Sequence, residues 1–175
     1  MSYGLPFSYT PKTLIRAGNV EMTMVSRIVG ALSLLLLAAP LAHADDGLMA
    51  DRVLGQASAP VTVDEYVSLT CSHCAQFYNT TLPDLEKKYV ETGKVKFILH
   101  DFPLDNIALK ASMLARCLPT EQYYPFVKML YTNQAAWAFV KDPVPALIQY
   151  AKMTGMTDEK AQACLKDEKL MNAIV

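Results

Sequence analysis

The stretch Val61-Thr62-Val63-Asp64-Glu65-Tyr66-Val67-Ser68-Leu69-Thr70-Cys71-Ser72-His73-Cys74 decides the fold. Its first nine residues alternate, with Val61, Val63, Val67 and Leu69 in one phase and Thr62, Asp64, Tyr66 and Ser68 in the other, which predicts a strand over 61–69. Glu65 falls in the apolar phase, the wrong side for a carboxylate unless something there uses it. After the cysteine pair a helical pattern runs to Thr92, with Tyr78, Leu82, Leu85 and Tyr89 expected as one apolar stripe and Gly93 as the stop. Pro83 inside that stripe predicts a kink or a division. Lys94 to Phe102, with Val95, Phe97 and Leu99 in phase, returns as a second strand. The unit is therefore β-α-β, with Cys71-Ser72-His73-Cys74 at its first turn.

That location has chemical consequences. Unpaired N–H groups and the dipole at a helix N-terminus stabilise negative charge, so Cys71 is expected to ionise more readily than a free cysteine. His73, when protonated, adds positive potential near the same sulfur. Cys74, one turn inside, is expected to be the shielded partner that resolves a mixed disulfide formed on Cys71. A c-type haem site requires His directly after the second cysteine, where Ala75 stands. A structural zinc needs two more ligands, and Cys117 and Cys164 do not form a second close pair. Redox catalysis leads, with a zinc or copper site and a strained structural disulfide as the alternatives.

The remainder of the chain bounds the setting. Of 175 residues, 52% are hydrophobic and 19% charged, the composition of one folded domain plus a greasier segment. Sixteen basic against 17 acidic side chains leave a charge of −1, which offers no field for holding a nucleic acid. From Met24 the sequence carries Arg27, an apolar run over 28–39, and the small-residue site Ala42-His43-Ala44. Residues 24–44 are thus expected to be a secretory signal peptide cleaved near Ala44, since the apolar run falls well short of the ~20 residues that span a bilayer. Residues 1–23 show no periodicity and are expected to be an extension that does not belong to the fold. The mature chain is predicted to be periplasmic or secreted, where cysteines can pair.

Ala59-Pro60-Val61-Thr62-Val63, Glu65-Tyr66, Ser68, Cys71 with His73-Cys74, Phe102-Pro103-Leu104, and Phe126 to Trp137 with Asn133-Gln134 together resemble the DsbA-type thiol:disulfide oxidoreductases of the thioredoxin superfamily. The resemblance runs from about Asp51 to the last residue. It implies an α/β, thioredoxin-like fold with an inserted α-helical domain, here a thioredoxin-like half over 45–104 and the insertion over 105–175. It implies an enzyme that donates a Cys71–Cys74 disulfide to reduced secreted proteins and is reoxidised by a membrane partner, with no cofactor and no resident metal. A reductase or isomerase of the same fold, or a non-catalytic metal-binding relative, are the other readings. The family carries an acidic residue at the place of Glu65, which makes Glu65 the expected proton partner of the cysteine pair beside Cys71, Cys74 and His73. A second, structural disulfide between Cys117 and Cys164 is expected, as some members of the family carry one there.

In 105–175, helices are predicted over 109–118, 123–139, 144–154 and 158–174, with Thr157 capping the last. Met113, Met129, Met153, Met156 and Met171 are read as core filler rather than a copper site, and Trp137 as core or groove wall. Lys87-Lys88 is read as a solvated face and His100 as an incidental polar residue at a strand end. The resemblance implies a cis-proline loop and final strands after the helical insertion; no proline follows Pro145, so these elements are expected to be missing, leaving an exposed sheet edge.

Overall fold

The computed structural model describes residues 47–175. The predicted extension 1–23 and signal peptide 24–44 lie outside the described residues. Three strands form the sheet: β1 (Arg52–Leu54), β2 (Val61–Val67) and β3 (Val95–Asp101), in the order β1-β3-β2. β2 and β3 run parallel, pairing Glu65 with Leu99 and Val67 with Asp101, as a β-α-β unit requires. β1 is antiparallel to β3 and was not legible in the sequence: it has three residues and opens on Arg52, whose side chain is buried.

Helical backbone leads from β2 to β3 in four continuous pieces. These are α1 (Ser72–Gln76), a widened π-type turn over Phe77–Thr81, α2 (Leu82–Leu85), and a second widened turn over Glu86–Val90. Pro83 cannot donate a hydrogen bond and its ring crowds the preceding turn, and the first widened turn stands immediately before α2. Each wide turn takes up an extra residue, so the apolar stripe rotates. Tyr78 and Leu82 face inward as expected, but Tyr89 is 43% exposed and Val90, at 5%, takes its place in the core. Gly93 closes the segment at φ 71°, a conformation that favours glycine.

The helical layer consists of α3 (Asn106–Arg116), α4 (Thr120–Thr132), α5 (Gln134–Trp137), α6 (Pro143–Met153), α7 (Asp158–Leu165) and α8 (Glu168–Ile174). Asp105 starts α3 three residues before the predicted position, because its carboxylate accepts the N–H groups of Ile107 and Ala108 at 2.8 Å. The helix expected over 123–139 is interrupted at Asn133 (φ −111°, ψ 21°), and Phe139 lies outside it, exposed. The helix expected over 158–174 is likewise two helices, because Asp167 caps α8 through the Leu170 N–H at 2.9 Å. Thr157 caps α7 by accepting the Lys160 N–H. One core joins both layers: Val67, Leu69, Phe97 and Leu99 from the sheet meet Leu114, Phe126, Leu130, Trp137 and Leu147. Met113 and Met156 are in that core, whereas Met153 is 72% exposed and fills nothing.

Cys117 and Cys164 form a disulfide, with Cα atoms 6.3 Å apart, that ties the end of α3 to α7. The bond closes a loop of 47 residues, worth about 4 kcal/mol in the chain-entropy model and often less. Replacing both cysteines by serine is expected to lower stability by about 2–4 kcal/mol in urea denaturation while leaving thiol exchange at Cys71 intact. Loss of exchange with unchanged stability would reverse that assignment.

Candidate active site

Cys71 is the N-cap of α1, its backbone extended at φ −73° and ψ 119°. This is why the chain turns there: β2 ends at Val67, Cys71 N–H bonds Ser68 O at 3.0 Å, and the helix begins with Ser72. The Cys71 sulfur accepts the backbone N–H of Cys74 at 3.5 Å. That N–H, aided by the Cys74 thiol and the backbone N–H of His73, holds the Cys71 thiol below its ordinary range, more than offsetting slight burial. Cys74 behaves oppositely: burial first, and then the neighbouring Cys71 and Glu65, push its thiol up. Both cysteines stand as free thiols. His73 is exposed, and the group it turns to the Cys71 sulfur is its backbone N–H.

Glu65 lies on the core face of β2, paired with buried Leu99 and close to the Tyr78 hydroxyl. Burial pushes its carboxyl up to about 7, against a smaller opposing effect from the Tyr78 hydroxyl. An acid that titrates near neutrality is thereby placed within electrostatic reach of Cys74. Because the folded value lies above the ordinary 4.5, Glu65 costs stability progressively as pH rises from about 4.5 through about 7. Glu65→Gln is therefore expected to leave stability unchanged at pH 4 and to raise it at pH 8 by about 1–2 kcal/mol, after discounting for solvent screening of a partly exposed group. Its exchange rate is expected to lose the inflection near pH 7; equal pH profiles in variant and parent would remove Glu65 from the chemistry.

The structure brings together Cys71, Cys74 and Glu65 around the end of β2, and keeps Cys117–Cys164 apart as a cross-link within the helical layer. His100 lies on the other face of the sheet, 2.8 Å from Asp64 Oδ1 and stacked on Tyr66. Among the described residues no group of three or more His, Cys, Asp or Glu side chains is placed to hold a metal.

Contacts around the turn come from residues that the sequence did not single out for a role. Tyr131 OH donates to Ser68 O at 3.2 Å, and the buried Gln134 amide donates to Leu69 O at 2.9 Å and Cys71 O at 3.0 Å. Thr70 Oγ1 donates to Asp105 Oδ2, and Leu104 N–H to Ser68 Oγ at 3.3 Å. The one available signal was a polar pair, Asn133-Gln134, inside an apolar run.

A parallel β-α-β unit with a Cys-x-x-Cys pair capping its helix and an acid beneath the inner cysteine defines a thioredoxin-like protein. Consistent with that, the family model described as Thioredoxin matches residues 48–175. The crystal structure of Wolbachia pipientis alpha-DsbA1 is similar at 34% identity and a TM-score of 0.67, covering 72% of this chain and 64% of that one. A form of that protein with two cysteines replaced by alanine matches at 31% identity over 74% of this chain and 68% of that one, with a TM-score of 0.67. A Rickettsia bellii protein whose name describes a protein-disulfide oxidoreductase is 31% identical over 126 residues, covering 71% of this chain and 49% of the relative. BdbD from Bacillus subtilis, at 22% identity and a TM-score of 0.60, shares the fold. The chain belongs to the thioredoxin family, among its DsbA-type members. It spans about half the length of the Rickettsia relatives it matches.

Proposed function

We propose that this protein is an exported thiol:disulfide oxidoreductase that donates a Cys71–Cys74 disulfide to thiols of folding proteins. The observation that carries the reading is the asymmetry of the pair: the Cys71 sulfur accepts the Cys74 N–H at a helix N-terminus, while Cys74 is more buried and harder to ionise. A substrate thiolate attacks the Cys71 sulfur of the disulfide; the S–S bond breaks, its electron pair passes to the Cys74 sulfur, and Glu65 supplies the proton that sulfur takes up. A second substrate thiolate then attacks the substrate sulfur of the mixed disulfide and releases Cys71 as a thiolate. Two electrons leave the substrate, which becomes oxidised, and the enzyme is left with a Cys71 thiolate, a Cys74 thiol and an ionised Glu65. The two protons that the substrate thiols lost to solvent on becoming thiolates are available there to restore Glu65 and, below its titration midpoint, Cys71. Lowering the Cys71 thiol favours it as leaving group in the second step, which supports donation over reduction.

Export is supported by the segment 24–44 and by the Cys117–Cys164 disulfide, a bond suited to an oxidising compartment. Reduced secreted proteins are the corresponding substrates, and a membrane partner would restore the disulfide. The test is to mix the oxidised chain with a reduced dithiol peptide. Equimolar appearance of peptide disulfide and the Cys71–Cys74 dithiol is expected, and no transfer would reject the reading.

A further inference from the structure

The backbone of the catalytic turn is held from outside its own element. A primary amide has two N–H groups, and those of Gln134 Nε2 go to two carbonyls of one turn, Leu69 O at 2.9 Å and Cys71 O at 3.0 Å. Gln134 is only 7% exposed, so its bonds form away from competing water and are correspondingly strong. The carbonyl of Cys71 also accepts the Ala75 N–H at 3.1 Å, the first bond of α1. Its peptide plane is thus fixed from two directions, by its own helix and by α5. The interruption of the helix at Asn133 is what turns Gln134 toward the turn, and α5 is anchored in the core by buried Trp137, whose Nε1 donates to Leu130 O at 2.8 Å.

We propose that Gln134 is a positioning residue, which fixes the Cys71 backbone so that the sulfur remains within reach of the Cys74 N–H. The proposal rests on the reading of Cys71 as the exchanging thiol. The contact between that sulfur and the Cys74 N–H, at 3.5 Å an ordinary length for a sulfur acceptor, depends on the orientation of the Cys71 Cα–Cβ bond, which the peptide planes on either side set. Without the Gln134 amide the buried Leu69 carbonyl loses this donor and the Cys71 carbonyl keeps only the Ala75 N–H of the two. The turn then gains freedom to swing the sulfur off the Cys74 N–H. Cys74, Tyr131 and the His73 backbone, which act around this sulfur, and Glu65, which acts on Cys74, are left in place.

The test is the pH dependence of Cys71 alkylation in the reduced full chain, read by mass spectrometry of the Cys71 peptide, with melting temperature measured in parallel. Gln134→Leu is expected to raise the Cys71 titration midpoint and slow alkylation at pH 6 by about three- to tenfold, because below the midpoint the thiolate fraction falls in proportion as the thiol becomes a weaker acid. Gln134→Asn, which keeps an amide on a shorter stem, is expected to fall between Gln134→Leu and the parent and serves as the reading if the leucine variant does not fold. Trp137→Phe, which loosens the same helix without touching the turn, is expected to lower the melting temperature and keep alkylation within about twofold of the parent. A depressed Cys71 midpoint that both Gln134 variants leave in place overturns the Gln134 assignment alone. An ordinary midpoint in the unsubstituted protein overturns the reading of the site, and this proposal with it.

Discussion

Cys71→Ser is expected to reduce disulfide transfer to a dithiol peptide to the uncatalysed background, because a hydroxyl cannot form or release the mixed disulfide through which both steps pass. Cys74→Ser is expected to behave differently. It retains the Cys71 sulfur at the helix N-terminus, where the Cys74 backbone N–H remains to stabilise the thiolate, but lacks the sulfur that would expel a bound substrate. When the reduced variant meets an oxidised substrate, its Cys71 thiolate attacks the substrate disulfide and one substrate sulfur leaves as a thiol, so the mixed disulfide should accumulate on Cys71, visible as a mass increase that reductant removes. The contrast separates roles that a simple loss of activity would not. Equal loss in both variants without a trapped species would show that the two sulfurs are not divided into an attacked and a shielded one.

The second large effect concerns a buried charged cluster where the sheet meets the helical layer. Arg116 Nε meets Asp101 Oδ2 at 2.6 Å with both side chains almost wholly buried, and the same guanidinium donates to Ala50 O at 2.8 Å. Arg52 donates to Arg116 O, and the two guanidinium groups flank the Tyr123 ring at 5.3 Å each. This arrangement fastens β1, the end of β3 and α3 to α4. Removing one partner of a buried pair strands the other charge, so Arg116→Met is expected to cost about 3–5 kcal/mol in urea denaturation. Asp101→Asn should cost at least as much, since it leaves two buried guanidinium groups beside each other with no carboxylate between them. The pair should be strongly non-additive in a double-mutant cycle. Losses below about 1 kcal/mol for both single variants would show that water reaches the cluster.

What was legible in the sequence followed from periodicity and from chemistry carried by neighbouring residues. Alternation over 61–69 placed β2 and put Glu65 on the core face, and the cysteine pair directly after it fixed the helix start. Thr157 is read as a cap because its partner is three residues away. The features that escaped depend on distance along the chain or on backbone irregularity. Arg52 looks like a surface residue until Tyr123, Thr120 and the Arg116 carbonyl are brought to it. The rotation that buries Val90 instead of Tyr89 comes from widened turns, which a fixed helical period does not represent. Gln134 acts on carbonyls 63 and 65 residues earlier, and no local pattern encodes that pairing.

The central claim, that the cysteine pair gives away its disulfide, is tested most directly by its reduction potential. The chain is equilibrated in graded mixtures of reduced and oxidised glutathione, quenched with acid, and the Cys71–Cys74 dithiol fraction is counted by alkylation mass shift. A thiolate favoured at Cys71 stabilises the reduced form, so the account predicts a potential above about −200 mV, oxidising relative to most cellular thiols. A potential at or below about −300 mV would mean that the pair holds its disulfide at least as tightly as secreted proteins hold theirs, and would contradict donation.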